Sequence, residues 1–289
     1  MARIDLVGEV WARPWEGRPG EFNARAGQGP AWAQDLAAVL SAGAEVITNA
    51  PERALYRHDL AELPRVFEHL LFRTTPDLVV RPATPEDVAQ TLRFAHSHHL
   101  PVTPRGLASS AYGGAVPTQG GILLDMLSLK GMSLPNPVGL TVHVEAGARW
   151  GDLEAYLAKH GLAVYTYPSS RFSTVAGWVA TGGYGINSFK YGHFSRWVEA
   201  LQVVDPDGTL HTVTSADPTF PLYFGSEGQL GVITGVTLRV RPRPEIERPY
   251  LLYFDTLIEA FAFAHALAKA GLRPAHMKVI DRQQMANLN

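Results

Sequence analysis

Three loops rich in glycine, serine and threonine carry the residues of this sequence that could do chemistry. They lie at residues 105–114, 168–192 and 225–234. Small residues let backbone amides approach an anion or a flat ring closely, and successive amides in such turns form concave anion-binding nests. Serine and threonine hydroxyls add further hydrogen-bond donors. Three such loops in one mid-sized domain predict an extended ligand with a diphosphate and a flat ring, and a dinucleotide fits that description.

Other sequence patterns for nucleotide binding and for nucleophilic catalysis do not occur. No G-x-G-x-x-G follows a predicted strand and there is no G-x-x-x-x-G-K-[ST], so neither a Rossmann domain nor a P-loop is supported. The absence of G-x-S-x-G means that the serine-rich loops do not read as nucleophile sites. Each loop taken singly could equally be an ordinary tight turn, because glycine is the default residue wherever the chain needs a positive φ.

Short strands alternating with helices must position these loops. A helix opens at Thr84, with Pro85 at its first position and Glu86 and Asp87 in its first turn, and it should run to about His98. These residue types cap free amides and suit the helix dipole. A further helix candidate occupies residues 32–41. The predicted strands are at residues 78–80, 101–104, 122–125, 141–145, 201–205, 210–214 and 232–240.

The order of these elements predicts two α+β lobes with a groove between them. A strand, a helix and a strand before residue 125 indicate a crossover unit, and DPDG at residues 205–208 is a strong hairpin signal. Beyond residue 244 the pattern predicts a strand at 250–254, a helix ending before Gly271, and a strand at 277–280. That unit would bury too little surface to stand alone, so we expect a fragment of a longer protein or a chain that a partner completes.

Composition narrows the classes of function. The 289 residues are 46% hydrophobic with a formal net charge of -2, so no basic excess favours nucleic acid or a membrane surface. No stretch reads as a transmembrane segment or signal peptide, and a soluble cytoplasmic protein is the simplest interpretation. The absence of cysteine excludes thiolate chemistry within this chain. His96, His98 and His99 lie at a helix C-terminus, where cations are ordinarily favourable, so no metal site is predicted.

At the three loops the sequence resembles the p-cresol methylhydroxylase-type FAD-binding domain, which vanillyl-alcohol oxidase shares. It is most similar to the glycolate oxidase and D-lactate dehydrogenase branch. The resemblance runs from about Pro76 to Pro244 and begins with PDLVVRP at residues 76–82 and TPEDV at 84–88. Its most specific signature is GSEGQLGVIT at 225–234, together with Pro104-Arg105-Gly106 and the order and spacing of the three loops.

The resemblance implies an α+β fold whose two lobes hold FAD extended between them. It gives an FAD-binding domain at residues 51–244 with lobes at about 51–135 and 136–244, a lead-in at 1–50, and the start of an incomplete substrate domain at 245–289. The first loop would hold the pyrophosphate, the second would line the ribityl, flavin and phosphate path, and the third would bind toward the adenine end. The residues assigned to FAD are Arg105, Gly106, Leu107, Ala108, Ser109, Ser110, Gly113, Pro168, Ser169, Ser170, Thr174, Ala176, Gly177, Ala180, Thr181, Gly182, Gly185, Glu227, Gly231, Val232 and Ile233.

The sequence departs from its relatives at the ligand loops. Relatives usually have Gly-Gly where this chain has Leu107-Ala108 and again at Ala176-Gly177, and often Asn at Gly182. Each added Cβ narrows the space for a phosphate or a ring. No His or Cys lies where the covalent flavin link of some relatives could be placed, so FAD is expected to be noncovalent.

The activity that the resemblance implies is oxidation of a small 2-hydroxy acid, of the glycolate or D-lactate type, by hydride transfer to flavin. The catalytic base is unassigned, because the branch takes it mostly from a substrate domain whose His-rich segment is absent here. One alternative is a non-catalytic interaction module that has lost FAD affinity. Another is an FAD oxidoreductase that acts on an aromatic alcohol, an aldose or a sugar lactone. A partner subunit, oxygen, quinone or cytochrome is left open as the electron acceptor.

Overall fold

Two β-sheets with a helix packed between them make up the fold in the computed structural model. The structure describes residues 29–61 and 74–286. The first 28 residues of the predicted lead-in at 1–50 therefore lie outside the described residues. From residue 29 it contains helix α1 (Ala33–Val39) and strand β1 (Glu45–Ile47), and β1 joins the first sheet as an edge strand.

The first sheet has four strands in the order β1, β2, β4, β3. Strands β2 (Leu78–Arg81) and β3 (Val102–Arg105) lie parallel to β4 (Ile122–Asp125) on either side of it, whereas β1 is antiparallel to β2. All four residues of β4 are buried, as expected for a strand whose sheet is covered on both faces. The three strands predicted before residue 125 are confirmed. The short helix α2 (Ala50–Ala54) follows β1.

Helix α3 (Pro85–Ser97) lies between the two sheets. Its capping box is complete, since the Thr84 hydroxyl accepts from the Asp87 amide while the Asp87 carboxylate accepts from the Thr84 amide. The buried face of α3 includes Val88 and Leu92, and the helix contacts both α1 and the second sheet. The helix start predicted from the sequence is confirmed.

The second sheet is antiparallel, with strand order β5, β9, β7, β8. Its centre is the long strand β9 (Val232–Pro242), which also pairs with the short strand β6 (Leu162–Val164). The hairpin predicted at residues 205–208 joins β7 to β8 and is confirmed. The remaining elements of this half are β5 (Thr141–Glu145), α4 (Trp150–Lys159), α5 (Val175–Thr181), α6 (Ser188–Tyr191), β7 (Val198–Val204) and β8 (Leu210–Thr214).

A single hydrophobic core joins the two sheets. Leu78 and Leu124 of the first sheet and Val142 and Leu201 of the second belong to one cluster of buried side chains. Apolar burial contributes about 25 cal/mol per Å² removed from water, so the shared core holds the two sheets together. The loops at the sheet edges are thereby fixed relative to one another.

The two strands predicted beyond residue 244 are wrong. Residues 250–254 and 277–280 form no strand, although helix α7 (Leu257–Lys269) is present and Gly271 follows it with φ +73°. A strand requires a neighbouring edge to satisfy its backbone groups, and no described strand pairs with either segment. Tyr250 and Tyr253 are 79% and 80% exposed, so these side chains of the predicted strand at 250–254 are not packed in a core. Helix α8 (Arg282–Ala286) closes the described chain.

The carboxylate of Asp87 should make stability depend on pH. It accepts hydrogen bonds from the Ser41 amide (2.7 Å), the Ser41 hydroxyl (2.9 Å) and the Ala83 amide (2.9 Å). Burial acts to raise the pKa of Asp87, but the hydrogen bonds outweigh it and the pKa lies below its ordinary value. A lowered pKa in the folded state gives stability that is present above the unfolded pKa, about 3.9, and lost as pH falls through the folded value.

We therefore expect the unfolding free energy of the wild type to fall more steeply than that of Asp87→Asn as pH decreases below about 5. Urea unfolding at a series of pH values measures the two slopes. Asp35→Asn removes the same formal charge from the exposed side of α1 and controls for net charge. Parallel curves for the wild type and Asp87→Asn would contradict this prediction.

Candidate functional site

The three glycine-rich loops meet at one groove between the two sheets. The first loop follows β3, the second contains α5, and the third leads into β9. The groove encloses a cavity of about 250 Å³. Most of the residues assigned to FAD from the sequence line it, namely Arg105, Gly106, Leu107, Ala108, Ser109, Ser110, Pro168, Ser170, Thr174, Ala176, Gly177, Ala180, Thr181, Glu227, Gly231, Val232 and Ile233.

Close backbone contacts hold the loops together around the groove. The third loop is tied to the end of α5 by hydrogen bonds from the Gly225 amide to the Val179 carbonyl (3.2 Å) and from the Glu227 amide to the Ala180 carbonyl (2.8 Å). The Glu227 carboxylate also reaches the first loop, where its Oε2 lies 3.3 Å from the position of a Cβ on Gly114. The groove is therefore built by all three loops in mutual contact.

The first loop presents unpaired amides. Among the described residues, the amides of Leu107, Ala108, Ser109 and Ser110 have no hydrogen-bond acceptor. Ala108 has φ +57°, in the left-handed region, and changes of hand between successive residues turn neighbouring amides toward one side. Donors left unpaired in this arrangement suit an anion, so the loop fits the diphosphate of a dinucleotide.

The rest of the groove combines free hydroxyls with an apolar floor. No hydrogen bond between described residues uses the side-chain hydroxyl of Ser109, Ser110 or Ser170. Met126 and Ala146, both almost fully buried, line the same cavity. Polar donors beside an apolar surface fit a sugar and a flat ring in one extended ligand.

Eight lining residues were not among those assigned from the sequence. Met126 and Ala146 come directly after β4 and β5, so their position at the end of a predicted strand was a usable signal. The others lie in or directly beside the three loops, but they were not assigned as ligand contacts. The full set is Pro104, Gly114, Ala115, Met126, Ala146, Ser173, Trp178 and Gly228.

The Arg105 guanidinium is held by main-chain carbonyls beside the groove. It donates to three main-chain carbonyls, those of His58 (2.8 Å), Ala115 (3.1 Å) and Tyr56 (3.2 Å). It also lies over the Tyr56 ring, 5.5 Å from the ring centroid. Burial lowers the pKa of Arg105, and the nearby carboxylates of Asp125 and Asp59 act against that shift. These contacts give the side chain the geometry of a loop anchor.

Four assigned residues lie outside the lining: Gly113, Ser169, Gly182 and Gly185. Ser169 is exposed to solvent. Gly182 is the C-cap of α5, and Gly185 lies so close to the Tyr167 carbonyl that a Cβ would collide with it. The last two glycines therefore shape the second loop, and direct contact of any of the four with a ligand stays a prediction.

Ala108→Gly should stabilise the first loop. A left-handed conformation costs about 1–2 kcal/mol for a residue with a Cβ, while glycine costs roughly 0.5–1 kcal/mol more conformational entropy on folding. We expect the unfolding free energy to rise by about 0.5 kcal/mol, measured by urea unfolding. Ala111→Gly, in the same loop at a residue without positive φ, is the matched control and should lower it. Equal losses in both variants would show that Ala108 is not strained.

Two structural classes of site are not seen in the described part of the chain. Within residues 29–61 and 74–286, no group of three or more His, Cys, Asp or Glu side chains could hold a metal ion. No helix in the same ranges is both long and apolar enough to cross a membrane.

Comparisons with known proteins indicate the same ligand as the shape of the groove. Residues 76–214 match a family described as an FAD binding domain. The D-lactate dehydrogenase of Anaerostipes hadrus is 29% identical over 244 residues, covering 80% of this chain and 51% of that protein. The glycolate oxidase subunit GlcD of Escherichia coli is 33% identical over 217 residues, covering 73% of this chain and 44% of that protein. The chain thus spans about half the length of these relatives.

The fold itself is found in a solved structure of alkyldihydroxyacetonephosphate synthase. That chain superposes with a TM-score of 0.71 at 23% sequence identity, covering 84% of this chain and 50% of the other. At this identity the likeness establishes the fold alone. The family match covers residues 76–214, which include the first two of the three loops, so this part of the chain carries an FAD-binding domain of the p-cresol methylhydroxylase type.

Proposed function

We propose that this chain is the FAD-binding part of an oxidoreductase that oxidises a small 2-hydroxy acid of the glycolate or D-lactate type. The observation that carries the proposal is the convergence of three glycine-rich loops on one groove with unpaired amides at one part and an apolar floor at another. The relatives named D-lactate dehydrogenase and glycolate oxidase subunit support the substrate class.

Different residues of the groove would hold different parts of FAD. The amides of Leu107–Ser110 would bind the diphosphate, because they are donors without protein acceptors among the described residues. Ser170 and Thr181 offer hydroxyls along the second loop, and Gly231, Val232 and Ile233 line the groove at the start of β9. Binding is proposed to be noncovalent, since no Cys exists in the chain and no His among the described residues lines this groove.

Bound FAD supplies a hydride acceptor, and the protein supplies position and surroundings. Met126 and Ala146 make the floor apolar and exclude water there, and the three loops fix the direction of the extended ligand. We assign no base to the described residues. A partner subunit as electron acceptor fits the name of the glycolate oxidase relative, which is itself a subunit.

An anaerobic spectrum tests this function. The purified protein, saturated with FAD, is mixed with D-lactate or glycolate without oxygen, and L-lactate serves as the control of opposite configuration. Loss of the oxidised flavin absorption with D-lactate or glycolate supports the proposed substrate class. Bound flavin that keeps its absorption with both, but is reduced by an aldose or a sugar lactone, would show that the substrate class is wrong while FAD binding is right.

A further inference from the structure

A second cavity of about 500 Å³ lies against the second sheet, beside the ends of the second and third loops. None of its lining residues lines the groove. It is formed by the turn at Phe194–Trp197, the start of β7, the turn at Phe220–Tyr223 and β9. Since the two cavities share no lining residue, a ligand here would contact side chains other than those that line the FAD groove.

The floor of this cavity is apolar. Val198 is 2% exposed and Phe220 is 5% exposed. The Phe220 ring packs edge-on against the half-buried Phe224 ring, with 5.1 Å between the centroids. Two aromatic rings and a valine offer a surface for a flat ring or a short acyl chain, because such groups gain most from leaving water.

Two guanidinium groups lie at the same cavity with donors to spare. The Arg196 guanidinium forms no hydrogen bond or ion pair with any described residue, and only its main-chain amide is engaged, by the His193 carbonyl (3.2 Å). Arg239 uses only its Nε, which lies 3.4 Å from Glu199 Oε2, so its two terminal nitrogens lack acceptors among the described residues. A guanidinium presents five N–H donors in a planar fork that matches the oxygens of a carboxylate or phosphate.

The carboxylates near the cavity leave most of the guanidinium N–H donors without an acceptor among the described residues. Glu199 engages Arg239 alone, over a long contact. The Asp217 carboxylate accepts from the Thr214 amide (2.6 Å) and the Thr214 hydroxyl (2.8 Å), so it is already paired within its own turn. Glu199 and Asp217 do not line the cavity, so the charged side chains among its lining residues are the two arginines, beside an apolar floor.

We propose that this cavity is a binding site for a small amphipathic oxyanion, a carboxylate or phosphate monoester carried on a flat ring or a short acyl chain. The apolar body would lie on Phe220 and Phe224, and the oxyanion would accept from Arg196 and Arg239. Ser195, which also lines the cavity, bonds His193 through its hydroxyl at 2.9 Å and would shape the rim. The proposal does not depend on the activity proposed for the FAD groove.

Ligand-observed ¹⁹F NMR tests the site with defined probes. The full chain, saturated with FAD so that the groove is filled, is titrated into 4-fluorobenzoate, 4-fluorophenyl phosphate and the neutral 4-fluorobenzamide. We expect at least one anionic probe to bind about tenfold or more tightly than the benzamide, as charge-assisted hydrogen bonds to two guanidinium groups imply. The better anion identifies whether carboxylate or phosphate is preferred.

Arginine-to-glutamine variants locate the binding. Arg196→Gln combined with Arg239→Gln should weaken the anionic probe about tenfold or more, while leaving the benzamide unchanged. Arg273→Gln, at an exposed residue outside the cavity, should change neither. Equal binding of the neutral and anionic probes would overturn the proposal. So would an unchanged affinity in the double variant, or displacement of the probe by added FAD in protein that was not saturated beforehand.

Discussion

Gly106→Ala is expected to abolish tight FAD binding, with at least a tenfold loss of affinity. A Cβ on Gly106 would lie 2.5 Å from Thr174 Oγ1, a distance that side chains do not tolerate. The Thr174 hydroxyl cannot easily move, because it caps α5 by accepting from the Gly177 amide (3.2 Å). The added methyl group must therefore push the first loop away from the second, and overpacking of this kind costs about 1–3 kcal/mol.

Removing the obstructing hydroxyl should restore part of the binding. Thr174→Ala alone loses the cap of α5 and should cost about 1 kcal/mol of stability. In Gly106→Ala/Thr174→Ala the two substitutions should cost less than the sum of the single effects, both on FAD affinity and on unfolding free energy. Gly114→Ala in the same loop is the control, since its Cβ would meet only the movable end of the Glu227 side chain. Strictly additive effects would show that the two loops do not touch as described.

Arg105→Ala should lower the unfolding free energy of the FAD-free protein by about 3 kcal/mol and also weaken FAD binding. Its guanidinium donates to the carbonyls of Tyr56, His58 and Ala115, and each charged hydrogen bond contributes about 1.5–3 kcal/mol, which water offsets in part at this half-exposed site. Urea unfolding and FAD titration measure the two effects.

Arg105→Lys separates an anchor from a phosphate ligand. A lysine keeps the charge but cannot reach three carbonyls with a planar fork, so an anchoring role predicts that it behaves like the alanine variant. A phosphate-binding role predicts the opposite. In that case Arg105→Lys would keep FAD affinity, and Arg105→Ala would leave the stability of the FAD-free protein unchanged.

The sequence predicted most of the fold because its local signals agree with the tertiary structure. The Thr84 cap, the DPDG turn and the buried run at β4 each specify one element without help from distant residues. The strand predicted at residues 250–254 failed because strand formation depends on a partner edge, which an apolar pattern does not reveal. Strand β1, which lies in the predicted lead-in, was not predicted for the same reason, because it forms by pairing with the distant strand β2.

The site was predictable as a set of loops and less so as individual contacts. Residue type and spacing indicated which loops would carry the ligand, and the structure brings all three together. Side-chain direction does not follow from a motif, so the turn of Arg105 toward main-chain carbonyls could not be predicted. The position of Met126 and Ala146 directly after predicted strands was a weak signal for the floor, because an apolar residue there has many ordinary packing roles.

Titration of the FAD-free protein with FAD, followed by flavin absorption and by tryptophan fluorescence, to which Trp178 at the groove contributes, tests the central claim most directly. We predict that one FAD binds per chain, that FMN, which lacks the adenylate half, binds more weakly, and that Gly106→Ala removes the FAD binding. A protein that is folded by circular dichroism but takes up no FAD, or binds FAD equally well with Gly106→Ala, would contradict the assignment of this groove.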